Sequence, residues 1–334
     1  MTQIKFAQRT LLLLLFCFGA SSVLSDGRAD FRRPLDIPFP LDRPYDPQIA
    51  TLGKMLFFDP RVSGAQNMSC ASCHNPSFGW ETPVDGAVGA MNTQLDRHAP
   101  TVLNQAWVHP YFWDGRADTL EEQAAGPITA AVEMNATFEQ VVARLEQVSG
   151  YREWFERLFP GQGISQETIT LSIATYERTI VSGWAPFDRW VEGDETAISA
   201  AAQRGFELFI GDANCAVCHT GWNFSDNQFY DIGLPTDDVG RLALEPENET
   251  QRHAFKTPGL RNIALRSPFM HNGSLHSLHD VLDHYASGGI QRPSLSPFMV
   301  SFAMDDQDID DLVAFLESLT ESTTEVPTPV LPAN

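Results

Sequence analysis

Two short stretches, NMSCASCHNP at residues 67–76 and NCAVCHTG at residues 214–221, hold the residue types best suited to chemistry. Each has two cysteines separated by two residues and a histidine directly after the second. C-x-x-C-H is the attachment pattern of c-type haem. The spacing brings both thiols within reach of the two vinyl groups of one porphyrin, and the adjoining imidazole ligates iron from one face. Cys70, Cys73 and His74 would serve a first haem; Cys215, Cys218 and His219 would serve a second. Zinc would need two further ligands per motif at suitable spacing. A redox dithiol would need no histidine at that place, in both copies. The other face of each iron then decides the chemistry. A sixth protein ligand makes an electron carrier, and an open position makes a reaction centre.

The elements that must position these motifs read as helices. LGKMLFFDPRVSGAQNMSCASCH and RGFELFIGDANCAVCH share a glycine, then Leu-Phe, then the cysteine motif, which points to two similar helical domains. Thr119 and Glu122 stand in capping-box spacing. Thr137 precedes an apolar face of Phe138, Val141, Val142, Leu145 and Val148. Ile169, Ile173, Tyr176 and Ile180 recur at helical spacing in SQETITLSIATYERTIVSG. Ser277 caps SLHSLHDVLDHYASGG, which ends at Gly288, and DDQDIDDLVAFLESL is amphipathic. No alternating strand series is present. The expected division is a signal peptide at 1–25, domains at 26–185 and 186–320, and a disordered tail at 321–334.

The 334 residues suffice for one large or two ordinary domains. In MTQIKFAQRTLLLLLFCFGASSVLSDG, Lys5 and Arg9 precede an apolar run and small residues, the pattern of a secretory signal cleaved after Ser25. The run is too short to span a bilayer comfortably, and no later stretch comes close. Cys17 lies inside it, so every other cysteine belongs to a C-x-x-C-H motif and none is left for a disulfide framework. These features point to a periplasmic protein. Its formal charge is −21, from 22 Lys and Arg against 43 Asp and Glu. That balance argues against nucleic acid and anionic membranes as partners, and suits a basic one.

Beyond the haem motifs, RHAPTVLNQAW, YFWDGRADTLEEQAAGPITAAVEM and FKTPGLRNIALRSPFMHNGSLHSLHDVLDHYASGG resemble the bacterial di-haem cytochrome c peroxidase/MauG family over residues 47–320. The resemblance implies a mainly α fold of two cytochrome-c-like helical domains, each with one covalently bound c-type haem. It implies that Trp113 lies between the haems, and that Gln123, Pro127 and Glu133 lie over the first, peroxidatic one. A carboxyl there can carry a proton from the inner to the outer peroxide oxygen. An inter-domain calcium is also implied, held by an asparagine and by carbonyls near LRSP. His98 stands at the asparagine's position and histidine is a poor calcium ligand, leaving the carbonyls of Arg266 and Pro268 as contributors.

Two departures select the branch. Residues 75–97 contain no histidine, where the peroxidases carry one that closes the first haem; His98 is the substitute to test. Tyr285 stands where the peroxidases hold a methionine on the second iron, as in the MauG branch. It shares a face with Leu278, Val281 and Leu282. The alternatives are Met270, His271 and His284. Phenolate is a hard anionic donor that favours the higher oxidation states. The resemblance therefore implies a MauG-like enzyme. Hydrogen peroxide would form a high-valent di-haem state that oxidises aromatic residues of a secreted partner protein by long-range electron transfer. The alternatives are a peroxidase fed electrons by a small redox protein, and a non-enzymatic di-haem carrier.

Overall fold

The computed structural model describes residues 27–322 and 325–334. The expected signal segment, 1–25, lies outside the described residues. Ten α-helices are described: α1 (Pro47–Phe58), α2 (Cys70–Cys73), α3 (Leu120–Thr129), α4 (Phe138–Glu146), α5 (Ser149–Leu158), α6 (Gln166–Arg178), α7 (Pro186–Val191), α8 (Ala200–Ile210), α9 (Leu278–Ser287) and α10 (Asp306–Ser318). Two two-residue strands, β1 (Phe229–Tyr230) and β2 (Phe255–Lys256), pair antiparallel. None of the described helices is long and apolar enough to cross a membrane.

The helix starts follow the capping signals. The Glu122 N–H donates to Thr119 Oγ1 at 3.1 Å, and the Thr119 N–H to Glu122 Oε2 at 3.2 Å. Ser277 and Asp280 form the same reciprocal pair ahead of α9. Each box satisfies amide donors that the first helical turn leaves without a partner.

The helices enclose two apolar cores. In the first, α1 packs on α6, and α3 packs beside it. In the second, α8 packs on α10 around an aromatic cluster of Phe187, Phe206, Phe209, Phe224 and Phe315. The glycine shared by the two lead-ins has the same task in both. A Cβ on Gly53 would strike the Ser172 carbonyl of α6, and one on Gly205 would strike the Asp311 carbonyl of α10. Only glycine lets the two backbones of each pair approach so closely.

Two segments cross between the halves. Phe31, upstream of the expected boundary at 185, sits in the second core, edge-on to Phe187 and Phe206. The tail beyond 320, expected to be disordered, runs along the first half. The Pro332 carbonyl accepts from both terminal nitrogens of Arg61, and the Ser149 N–H donates to Asn334 Oδ1.

Candidate active site

His74 follows α2, whose start is fixed by the Ser69 N–H donating to Ser72 Oγ at 2.9 Å. Its Nδ1 lies 3.3 Å from the Trp80 carbonyl, and His219 Nδ1 lies 2.9 Å from that of Phe224. A carbonyl on Nδ1 fixes the ring and leaves Nε2 for a metal, the arrangement usual for ligating histidines. The four cysteines are unpaired. Burial pushes Cys73 and Cys218 up to about 11 and Cys215 to about 12, so these thiols are neutral in water. Among the described residues no three His, Cys, Asp or Glu side chains group as a metal site. The set fits covalent haem attachment with imidazole ligation, and not zinc.

A cavity of about 950 Å³ opens against Cys70, Cys73 and His74. That is the upper end of the usual range for ligand sites, roughly 300–1,000 Å³. Gln123 and Pro127, from α3, and Glu133, from the turn after it, line the same cavity. That turn is fixed by its backbone. The Met134 N–H donates to the Pro127 carbonyl at 3.1 Å, and the Glu133 carbonyl accepts from the Ala90 N–H at 2.7 Å. Burial raises the Glu133 carboxyl above its ordinary value, opposed by Arg116. Trp113 also borders the cavity and is buried. Its indole N–H donates to the His98 carbonyl at 2.8 Å, and its own carbonyl accepts from the Lys256 N–H at 2.7 Å. It is thereby tied to both halves.

In the second half, α9 carries Tyr285 toward the other cysteine pair. Its phenol is held well above the ordinary range by burial, then by the neighbouring Cys215 and Cys218 sulfurs. The alternative histidines are engaged elsewhere. His284 Nε2 is 2.8 Å from the Ile232 carbonyl. His271 stacks on Phe255 at 3.7 Å, borders the first cavity, and is pushed down to about 4 by burial. Met270 packs against the second core with φ of 77°.

His98 borders the first cavity, but both of its ring nitrogens face protein groups. Its Nδ1 faces the Val84 and Asp85 carbonyls at 3.1 and 3.3 Å, and its Nε2 faces Glu81 Oε2 at 3.2 Å. Glu81 in turn pairs with Arg266 at 2.8 Å. The place expected for a calcium-binding asparagine thus carries an imidazole within a buried ionic cluster.

The sequence reading missed Glu81, Lys256 and Glu177, and singled out Arg266 only for its backbone carbonyl. Lys256 lines the cavity with Nζ 2.6 Å from the Pro110 carbonyl, and burial pushes its ammonium down to about 7. Glu177 was detectable. It falls four residues after Ile173, on the apolar face of α6, where an acid is unexpected.

Comparisons with known proteins agree with this geometry. Residues 47–196 match the family model described as di-haem cytochrome c peroxidase, and residues 202–320 match that of cytochrome c. Methylamine utilization protein MauG of Methylorubrum extorquens is 48% identical, over 95% of this chain and 93% of its own. Cytochrome c551 peroxidase of Pseudomonas aeruginosa is 33% identical, over 96% and 94%. The crystal structure of a MauG-like protein associated with microbial copper homeostasis superposes with a TM-score of 0.81 at 28% identity, covering 87% of this chain and 95% of that one. With two haem-binding motifs set in two helical cores, this chain belongs to the di-haem cytochrome c peroxidase family, as a MauG-like peroxidase-type oxidoreductase.

Proposed function

We propose that the protein is a periplasmic enzyme carrying two covalent haems. It takes hydrogen peroxide at the first and withdraws electrons from an aromatic side chain of a secreted partner protein through the second. The observation that carries this reading is the convergence of Glu133, Gln123, Pro127 and Trp113 with Cys70, Cys73 and His74 on one cavity. Cys70, Cys73, Cys215 and Cys218 would attach the two haems and His74 and His219 would ligate them, and the groups would supply redox-active iron for peroxide chemistry. Glu133 takes a proton from one peroxide oxygen and returns it to the other. The Gln123 amide orients the peroxide by hydrogen bonding, and Pro127 fills the wall beside it. Trp113, held by the His98 carbonyl, passes electrons between the halves. Tyr285 would ligate the second iron, and a phenolate there would favour oxidised states over the electron storage that methionine would give. That choice separates this reading from a peroxidase that only removes peroxide.

The test combines intact mass with electron paramagnetic resonance. The mature protein should carry two haems and no reactive thiol. At rest it should show one high-spin and one low-spin ferric signal, and it should react with peroxide without prior reduction. Two low-spin signals, or a need for reduction first, would replace the reading with an electron-storing peroxidase.

A further inference from the structure

Glu177 lines the first cavity from α6, one turn after Ile173, which lines it too. It is 4% exposed, and its Oε2 is buried with no hydrogen-bond partner. The cation beside it is committed elsewhere, because Arg178 donates through both terminal nitrogens to Glu121 at 3.0 Å each. Arg43 also turns to Glu121, at 3.1 Å. The other titratable groups near Glu177 are Tyr176 on its own helix, Cys70 on α2 and Tyr111 ahead of α3. None is a cation. A carboxylate left without a donor in such a place is far costlier than the neutral acid. Burial accordingly moves this carboxyl up to about 8, with Arg178 opposing and Glu121 reinforcing.

Peroxide turnover has a use for such a group. Reducing one hydrogen peroxide with two electrons consumes two protons and yields two waters. Glu133 only moves a proton from one oxygen to the other, which leaves the net proton demand unmet. Resting on the reading above, we propose that Glu177 is the proton-holding group of the first cavity: its carboxylic acid gives a proton to the oxygen being reduced there and is recharged from solvent. The O–H bond of the acid breaks, an O–H bond of product water forms, and both electrons come from the external donor.

The experiment uses the di-haem holoenzyme with hydrogen peroxide and ferrocyanide, a donor that releases electrons without protons. Wild-type turnover should fall as pH rises through about 8, where the acid is lost. Glu177→Gln should load both haems, turn over about 10- to 100-fold more slowly at neutral pH, and lose that alkaline limb. Glu177→Asp, which keeps the acid, should restore it. Independently, infrared difference spectra of the wild type should show a carboxylic-acid carbonyl band that disappears over the same pH range and is missing from Glu177→Gln. An alkaline limb retained in Glu177→Gln, or a wild type without that band, would overturn the proposal. If the wild type oxidises no ferrocyanide with peroxide, the peroxide-using function proposed above fails instead, and the infrared measurement still decides whether Glu177 holds a proton.

Discussion

Glu133 and Glu177 face the first cavity from different elements, and each has a raised pKa for which burial is the leading cause. Desolvation of this kind favours the neutral acid and is how active sites bring carboxyls toward proton-transfer work. In the proposed mechanism Glu133 acts first as a base, so its anionic form is the active one there. Because its pKa is raised, that form is lost at a higher pH than for an ordinary carboxylate. The rate of the peroxide-induced spectral change should therefore climb through a pKa above the usual carboxylate range. Glu133→Gln should abolish this acid limb, keep both haems, and slow the change by about 10²- to 10⁴-fold. Stopped-flow rates equal to wild type would remove Glu133 from the role. The cysteine motifs were legible from residue types alone, since a fixed covalent spacing encodes them. Glu133, Gln123 and Pro127 were legible only by resemblance, because an acid after a helix reads as ordinary surface. The place of Glu177 on the apolar face of α6 was readable, but its lack of a partner needed the fold, which alone shows that Arg178 is occupied by Glu121.

The elements themselves were largely written in local patterns. A capping box marked the start of α3, Thr137 and Ser277 marked those of α4 and α9, and apolar spacing of three and four residues gave the buried faces of α4 and α9. Pairing between elements was less visible. Phe31 lies far along the chain from Phe187 and Phe206, and no local pattern announces that it crosses to the second core. The repeated glycine was visible as a likeness, but its reason appears only in the packing. In α8, Gly205 places its α-carbon against the Asp311 carbonyl of α10. A methyl group there must push the helices apart, and overpacking of this kind costs roughly 1–3 kcal/mol. Gly205→Ala should lower the thermal midpoint of the second half, and Gly53→Ala that of the first. An exposed glycine such as Gly161, where an added Cβ meets nothing but φ is 77°, offers a comparison for backbone strain alone. Calorimetry in which Gly205→Ala melts as the wild type does would refute the close-contact argument.

At the scale of the whole molecule, the two halves are joined by buried polar contacts. Glu81, from the first half, accepts from Arg266 of the second, and both are almost fully buried. His98 Nε2 and the Thr101 N–H complete the surroundings of the Glu81 carboxylate, and the His98 carbonyl receives the Trp113 indole N–H. Asn104 reaches across as well, donating to Asn223 at 2.9 Å. The cluster that joins the halves therefore also positions the tryptophan assigned to electron transfer between them. Removing one partner of a buried ion pair strands the other charge, which costs about 3–5 kcal/mol, whereas replacing both partners costs much less. Arg266→Met should thus lower the melting midpoint sharply. The double variant Glu81→Gln, Arg266→Met should recover much of the loss, giving a coupling of more than about 1 kcal/mol in a double-mutant cycle. Arg266→Met should also slow electron passage between the halves after a peroxide pulse, because the loop that carries the His98 carbonyl loses its anchor. Additive effects in the cycle, with inter-haem transfer unchanged, would mean that the pair serves stability in each half separately and has no part in holding Trp113.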